Sequence, residues 1–214
     1  MWKDFPTRLA GGAGCGALVY SRYGYGRSDR LKARRGVDFM HREAQRALPE
    51  LLEKLGIERP VLFGHSDGAS IALIYASAHP VSAAIVLAPH LFVEEQGLQS
   101  IRAIKCVYDS GDLKHKLARY HDDPDSAFRG WNDIWLDPDF RNWNIQDETS
   151  RIAAPVLAIQ GFDDEYGTIE QVDRLARLVP GARVLKLEQC RHSPHIDQPE
   201  AVIQASAALI DALR

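Results

Sequence analysis

The fold of this chain is decided by residues 60–72, which read Pro60-Val61-Leu62-Phe63-Gly64-His65-Ser66-Asp67-Gly68-Ala69-Ser70-Ile71-Ala72. A short apolar run enters the pattern Gly-x-Ser-x-Gly, and an alanine-rich segment with helical spacing leaves it. This order predicts a buried strand that turns sharply into a helix, with Ser66 at the turn.

Such a turn is a nucleophile elbow, and it makes specific demands on its residues. The backbone of Ser66 has to adopt a strained conformation, and side chains at Gly64 and Gly68 would clash with neighbouring segments. The serine hydroxyl is then lifted clear of the sheet, and the backbone N–H of Asp67 can face an oxyanion. Because glycine and serine each make up roughly 7% of residues, the bare pattern arises by chance in about one chain in fifteen of this length. The alternative is therefore a buried serine in a glycine turn, unless the sequence also offers the side chains that would activate Ser66.

Composition limits the class of protein. The 214 residues are 45% hydrophobic and 26% charged, with 26 basic and 29 acidic side chains and a formal net charge of -3. This balance is ordinary for a soluble globular protein and favours a small-molecule substrate over nucleic acid or a membrane surface. Three widely spaced cysteines argue against a disulfide framework. We expect a cytoplasmic protein, since no apolar stretch has the length of a membrane span or a signal peptide.

Strands and helices alternate along most of the chain. Apolar runs predict strands at residues 17–20, at the entry to the elbow, and at residues 83–88, 155–159 and 183–187. Helical patterns lie between and after them. The fold class is therefore α/β, with a mainly parallel sheet of about five strands flanked by helices.

One segment breaks this alternation. Residues 91–150 show no strand pattern, and they contain Trp131, Trp135 and Trp143. We interpret them as a helical cap insertion, with residues 1–90 and 151–214 forming the core. The tryptophans are expected to pack the insertion itself, with contact to substrate as the alternative.

Three loops after predicted strands carry reactive side chains. Parallel strands bring such loops to one edge of the sheet, where ligands bind. The loops contribute Ser66, the pair Asp163 and Asp164, and His192. A serine hydroxyl is a poor nucleophile until an imidazole takes its proton, and the imidazole needs a carboxylate to orient it. The three loops together therefore predict an activated serine nucleophile, whose chemistry requires neither a metal nor an organic cofactor.

These motifs resemble those of the α/β-hydrolase superfamily, in its helical-cap branch of esterase-like and C–C-bond-cleaving enzymes. The resemblance covers essentially the whole chain and rests on residues 21–28, 64–68, 161–164 and 190–195. It implies that Asp164 rather than Asp163 is the acid. It also implies that His192 is the base, although Arg191 stands where glycine is usual; His195 remains the alternative base.

The resemblance implies a serine hydrolase of small carboxylic esters or related acyl substrates. Hydrolysis of a C–C bond beside a ketone would use the same residues, and a non-catalytic remnant could have kept them by descent. His90 and Tyr166 are candidate pocket residues. A metal cluster of Cys190, His192, His195 and Asp197 is a weaker alternative, since no second ligand group stands at zinc-like spacing.

Related enzymes begin with further strands, the third of which ends in a His-Gly-type loop. No such pattern precedes Asp4. The third strand would lie beside the elbow strand, so we expect a gap there whose unpaired backbone groups each cost about 1–3 kcal/mol. A shift of the strand at 17–20, a second copy in a homodimer, or residues absent from this sequence would close it. The same loop donates an oxyanion N–H whose removal costs on the order of 100- to 1,000-fold in turnover, so the resemblance implies an impaired enzyme.

Overall fold

The computed structural model describes residues 2–214, and these residues form a four-stranded parallel sheet. Its strands, in both spatial and chain order, are β1 (Val61–His65), β2 (Ala83–Leu87), β3 (Val156–Gly161) and β4 (Arg183–Leu187). All three neighbouring pairs run parallel. The predicted α/β fold is confirmed, and the carboxyl ends of the strands meet at one edge of the sheet.

Helices precede, connect and follow the strands. They are α1 (Phe5–Ala13), α2 (Phe39–Arg42), α3 (Leu48–Lys54), α4 (Asp67–Ala76), α5 (Glu95–Asp109), α6 (Asp112–Leu117), α7 (Pro124–Trp135), α8 (Gln146–Thr149), α9 (Glu170–Leu178), α10 (Pro194–Asp197) and α11 (Pro199–Asp211). A π-helical segment, Glu43–Ala47, joins α2 to α3, and a 3-10 helix spans Pro138–Asn142. None of the helices within residues 2–214 combines the length and the apolar character needed to cross a bilayer.

The two central strands are the most buried part of the sheet. Every residue of β2 and β3 is buried, whereas β4 at the edge is partly exposed. Helix α11 packs on the sheet beside α1, and Leu209 and Val202 of α11 join Ile85 and Ile159 in one apolar core. Continuous apolar runs are typical of strands that are covered on both faces. This is why β2 and β3 could be predicted from their apolar runs.

The strand predicted at residues 17–20 is wrong. These residues form no regular structure, and Leu18 and Val19 expose 49% and 55% of their surface. Within residues 2–214, β1 pairs with β2 alone. A strand exists only through hydrogen bonds to a neighbouring strand, and no described strand lies alongside residues 17–20. The apolar run therefore had the composition of a strand without the pairing.

The chain forms two compact units. The first contains the described residues through Leu18, together with Met40–Phe92 and Asn144–Arg214. The second contains Val19–Phe39 and Val93–Trp143. The second unit therefore includes an N-terminal loop as well as most of the segment predicted to be the cap. The assignment of residues 91–150 as a cap stays a prediction.

Aromatic side chains pack the second unit internally. The rings of Tyr108 and Phe128 stack with centroids 3.8 Å apart. Phe140 is fully buried, and its ring centroid lies 5.1 Å from that of Trp135 and 5.3 Å from that of Trp143. These contacts agree with the expectation that the tryptophans pack within their own segment.

Candidate active site

Ser66 lies at a strained turn between β1 and α4. Its backbone has φ 54° and ψ -124°, a conformation that an L-residue adopts at a cost. A Cβ on Gly64 would lie 2.3 Å from the backbone oxygen of Gly68, so only glycine fits at position 64. A Cβ on Gly68 would meet nothing within 4 Å. The predicted elbow is present, but the predicted clash at Gly68 is wrong.

The loop after β4 brings His192 against Ser66. The Nε2 atom of His192 lies 3.0 Å from Ser66 Oγ, and Nδ1 lies 2.9 Å from Asp164 Oδ1 and 3.0 Å from Asp164 Oδ2. A carboxylate only accepts hydrogen bonds, so Nδ1 carries the ring proton. Nε2 is then the acceptor for the Ser66 hydroxyl, which is the arrangement a general base requires.

The Asp164 carboxylate is buried and held by several donors. Oδ1 accepts from the backbone N–H of Tyr166 at 2.8 Å and of Gly167 at 3.3 Å. Oδ2 accepts from Nε2 of Gln160 at 2.7 Å. Asp164 is 3% exposed, whereas the neighbouring Asp163 is on the surface. Of the two adjacent acids, only Asp164 contacts His192 in the described part of the chain.

The acid loop and the histidine loop meet through backbone contacts. Asp163 N–H donates to Cys190 O at 3.0 Å, and Phe162 N–H donates to Leu187 O at 3.0 Å. A Cβ on Gly161 would lie 2.0 Å from Cys190 O, so glycine is required where the two loops cross. This close approach places the loop that carries Asp164 beside the loop that carries His192.

Comparison with known proteins shows the family to which this chain belongs. The model of the alpha/beta hydrolase family matches residues 1–205. The chain belongs to the alpha/beta hydrolase family. LipZ of Mycobacterium tuberculosis, which is named as a hydrolase, is 25% identical over 137 residues, or 64% of this chain. The chain spans 38% of the length of LipZ.

Solved structures share the fold of this alpha/beta hydrolase. A membrane phospholipase A, described as a bacterial virulence factor, matches with a TM-score of 0.72 and 22% identity, covering 100% of this chain and 76% of that chain. A thermophilic esterase from Thermogutta terrifontis matches with a TM-score of 0.70 and 16% identity, covering 99% of this chain and 86% of that chain. At these identities the likeness shows the fold.

The backbone N–H of Asp67 lies at the first turn of α4, directly after the Ser66 turn. The first N–H groups of a helix and the positive end of its dipole favour an anion at this position. The role of this N–H as an oxyanion donor stays a prediction.

Both predicted pocket residues lie beside His192. The ring centroid of His90 is 5.9 Å from that of His192, and the ring centroid of Tyr166 is 4.7 Å from it. Burial lowers the pKa of His90 to about 4, and burial also raises the pKa of Tyr166 above its usual value. Both side chains are therefore neutral near pH 7. Both rings border the imidazole of His192.

His195, the alternative base, lies in an aromatic cluster. Its ring centroid is 4.5 Å from that of Trp2, 5.9 Å from that of Phe5 and 4.9 Å from that of His65. Both ring nitrogens are buried and have no hydrogen-bond partner among the described residues. Burial lowers the pKa of His195 to about 4. The contact with the Ser66 hydroxyl is made by His192.

The residues of the alternative metal cluster have other contacts. Cys190 Sγ donates to Arg191 O at 3.6 Å, and Asp197 Oδ2 accepts from Arg191 N–H at 2.8 Å. Burial raises the pKa of Cys190 to about 12, so its thiol is protonated at neutral pH. Within residues 2–214, no group of three or more histidine, cysteine or acidic side chains is arranged to hold a metal ion.

Two residues that contact the site were not predicted from the sequence. Gln160 contacts the acid, and His65 Nε2 donates to the backbone oxygen of His192 at 2.6 Å. The sequence signal for Gln160 is an amide near the end of an otherwise apolar strand, four residues before Asp164. A local pattern contains no corresponding signal for His65, because its partner is 127 residues away.

Proposed function

We propose that this chain is a serine hydrolase that acts on a small carboxylic ester or a related acyl substrate. Its catalytic residues are Ser66, His192 and Asp164. The observation that carries the proposal is the position of His192, whose Nε2 lies 3.0 Å from Ser66 Oγ while its Nδ1 lies 2.9 Å from Asp164 Oδ1. A hydroxyl, an imidazole and a carboxylate in this order form the unit that activates a serine.

The reaction proceeds in two acyl-transfer steps. Ser66 Oγ attacks the carbonyl carbon while His192 Nε2 takes the hydroxyl proton, and the Asp164 carboxylate stabilises the resulting imidazolium. The Asp67 N–H donates to the oxyanion of the tetrahedral intermediate. His192 then gives its proton to the leaving alkoxide. Water repeats these steps on the acyl-enzyme, which releases the carboxylic acid and restores Ser66.

The family supports hydrolysis as the reaction class. LipZ is named as a hydrolase, and the structural neighbour from Thermogutta terrifontis is an esterase. The choice of an acyl substrate follows from the chemistry of an activated serine beside a backbone donor.

Turnover of short p-nitrophenyl esters tests the proposal. We expect the unmodified chain to hydrolyse p-nitrophenyl acetate, and Ser66→Ala and His192→Ala each to reduce kcat by at least about 1,000-fold. Ser110→Ala removes an exposed hydroxyl and serves as the matched control. A folded chain without esterase activity, or an active Ser66→Ala variant, would refute the proposal. Faster turnover of a vinylogous diketo acid than of any ester would instead indicate a C–C hydrolase.

A further inference from the structure

A fully buried glutamine is the last residue but one of the central strand β3. Gln160 is 0% exposed and follows four apolar residues, Val156, Leu157, Ala158 and Ile159. An amide in such surroundings is unfavourable unless its polar atoms are hydrogen-bonded. The hydrogen-bond partners of the Gln160 amide therefore indicate its role.

Both donated bonds of Gln160 go to the acid loop. Nε2 donates to Asp164 Oδ2 at 2.7 Å and to the backbone oxygen of Gly167 at 3.1 Å. Oε1 is buried and has no partner among the described residues. A rotated amide would turn its oxygen toward a carboxylate and a carbonyl, both of which only accept. The amide orientation is thus fixed, and its own acceptor is left unsatisfied so that its donor can reach Asp164.

The two carboxylate oxygens of Asp164 are held from different directions. Backbone N–H groups of Tyr166 and Gly167 hold Oδ1, and the Gln160 amide holds Oδ2. Donors on both oxygens oppose rotation of the carboxylate about its Cβ–Cγ bond. This matters because both oxygens lie within 3.0 Å of His192 Nδ1.

We infer that Gln160 is a positioning residue, whose amide fixes the rotation of the Asp164 carboxylate and thereby the orientation of the His192 imidazole. The inference rests on the proposed function, and it adds a fourth side chain to the proposed catalytic unit. Gln160 acts through Asp164 and does not touch the substrate. Position 160 therefore requires a hydrogen-bond donor, whereas a residue that only filled space would require no more than the right volume.

Two substitutions test this requirement. Gln160→Met keeps the length and approximate volume of the side chain but removes the donor. We expect it to lower kcat for p-nitrophenyl acetate on the order of 10-fold, the value of one hydrogen bond to a charged group. KM should stay unchanged, since the amide makes no contact with substrate. An unchanged kcat would overturn the inference.

Gln160→Glu gives a pH signature that a space-filling role would not produce. Burial and the adjacent Asp164 charge raise the pKa of the introduced carboxyl. In its protonated form the carboxyl donates to Asp164 as the amide does, and in its ionised form it repels Asp164. The unmodified chain should reach an alkaline plateau in kcat/KM, whereas Gln160→Glu should add a falling alkaline limb. A plateau in both chains would overturn the inference.

The matched control is Gln171→Met. Gln171 is also fully buried, but its amide donates to Phe92 O and accepts from Leu91 N–H. Its replacement should lower the melting temperature without changing the shape of the pH profile. A loss of kcat in Gln160→Met that merely matches the loss in Gln171→Met would show a structural role for Gln160.

Proton NMR separates this inference from the proposed function, because it needs no turnover. The His192 Nδ1–H should give a strongly downfield signal that disappears in Asp164→Ala. We expect Gln160→Met to shift or broaden the signal and Gln171→Met to leave it in place. A chain without esterase activity would refute the proposed function while this signal still tests Gln160. A signal that is identical in Gln160→Met and in the unmodified chain would refute the positioning role.

Discussion

His65 donates its Nε2–H to the main-chain oxygen of His192, with a nitrogen–oxygen distance of 2.6 Å. The residue that precedes the proposed nucleophile therefore holds the loop that carries the proposed base. Burial lowers the pKa of His65 well below its usual value, and the nearby His192 and His195 add to this effect. The ring thus stays neutral at neutral pH, in the tautomer with a proton on Nε2.

This contact predicts that a donor at position 65 is needed for full activity. His65→Phe removes the donor and should lower kcat about 3- to 10-fold, the value of one buried hydrogen bond. His65→Gln keeps an N–H that can reach the same carbonyl and should recover most of the loss. His79→Gln, at a half-buried histidine that stacks on Tyr75, is the control for replacing a histidine. Equal kcat values for His65→Phe and His65→Gln would contradict the prediction.

Two adjacent acids allow a matched test of the carboxylate. Asp164→Asn should lower kcat by about 10,000-fold, because an amide at this position favours the wrong imidazole tautomer. Asp163→Asn should leave kcat near that of the unmodified chain, since Asp163 is exposed. Steady-state ester hydrolysis measures both. A larger loss of kcat in Asp163→Asn than in Asp164→Asn would contradict the assignment of Asp164 as the acid.

The buried imidazole of His195 predicts a pH-dependent stability. The pKa of His195 is about 4 in the folded chain, against an ordinary value of 6.5. Between these values the unfolded chain binds the extra proton, so stability falls as pH drops from 6.5 toward 4. His195→Phe removes this loss and also removes two unpartnered ring nitrogens. Urea denaturation should show the variant gaining roughly 2 kcal/mol relative to the unmodified chain between pH 7.5 and pH 5.

His115→Gln, at an exposed histidine, is the control for this stability measurement. Its unfolding free energy should follow that of the unmodified chain at both pH values. If His195→Phe also followed the unmodified chain, the buried, neutral state of His195 would be refuted.

Two glycines predict stability changes of opposite sign. Gly161→Ala places a Cβ 2.0 Å from Cys190 O, so the acid and histidine loops would have to separate. Gly11→Ala, within α1, meets nothing within 4 Å and should stabilise the chain by about 0.5–1 kcal/mol. Thermal unfolding should therefore give a lower melting temperature for Gly161→Ala and a higher one for Gly11→Ala. A tolerated Gly161→Ala would contradict the close crossing of the two loops.

The parts of the fold that were predictable from sequence are those with local causes. The Ser66 turn is encoded within residues 60–72, where a strand, two glycines and a helix adjoin each other. The central strands are recognisable in the sequence as apolar runs because both of their faces are buried. The run at residues 17–20 has the same apolar composition. A strand forms only where a neighbouring strand pairs with it, and composition gives no information about that neighbour.

The candidate site was predictable in part. Asp163 and Asp164 look alike in a local pattern, and the resemblance to a family separated them; in the structure one is exposed and the other buried. Gln160 and His65 were missed as site residues because each acquires its role from a loop that only folding brings to it. Their contacts with Asp164 and with the His192 loop are properties of the tertiary structure.

Labelling by a fluorophosphonate probe, with the modified residue located by mass spectrometry, tests directly whether Ser66 is an activated nucleophile. An activated Ser66 predicts modification of the folded chain at Ser66, loss of modification in Ser66→Ala, and a strongly reduced labelling rate in His192→Ala but not in His195→Phe. A folded chain that is not labelled at Ser66, or a His192→Ala variant labelled as fast as the unmodified chain, would contradict it.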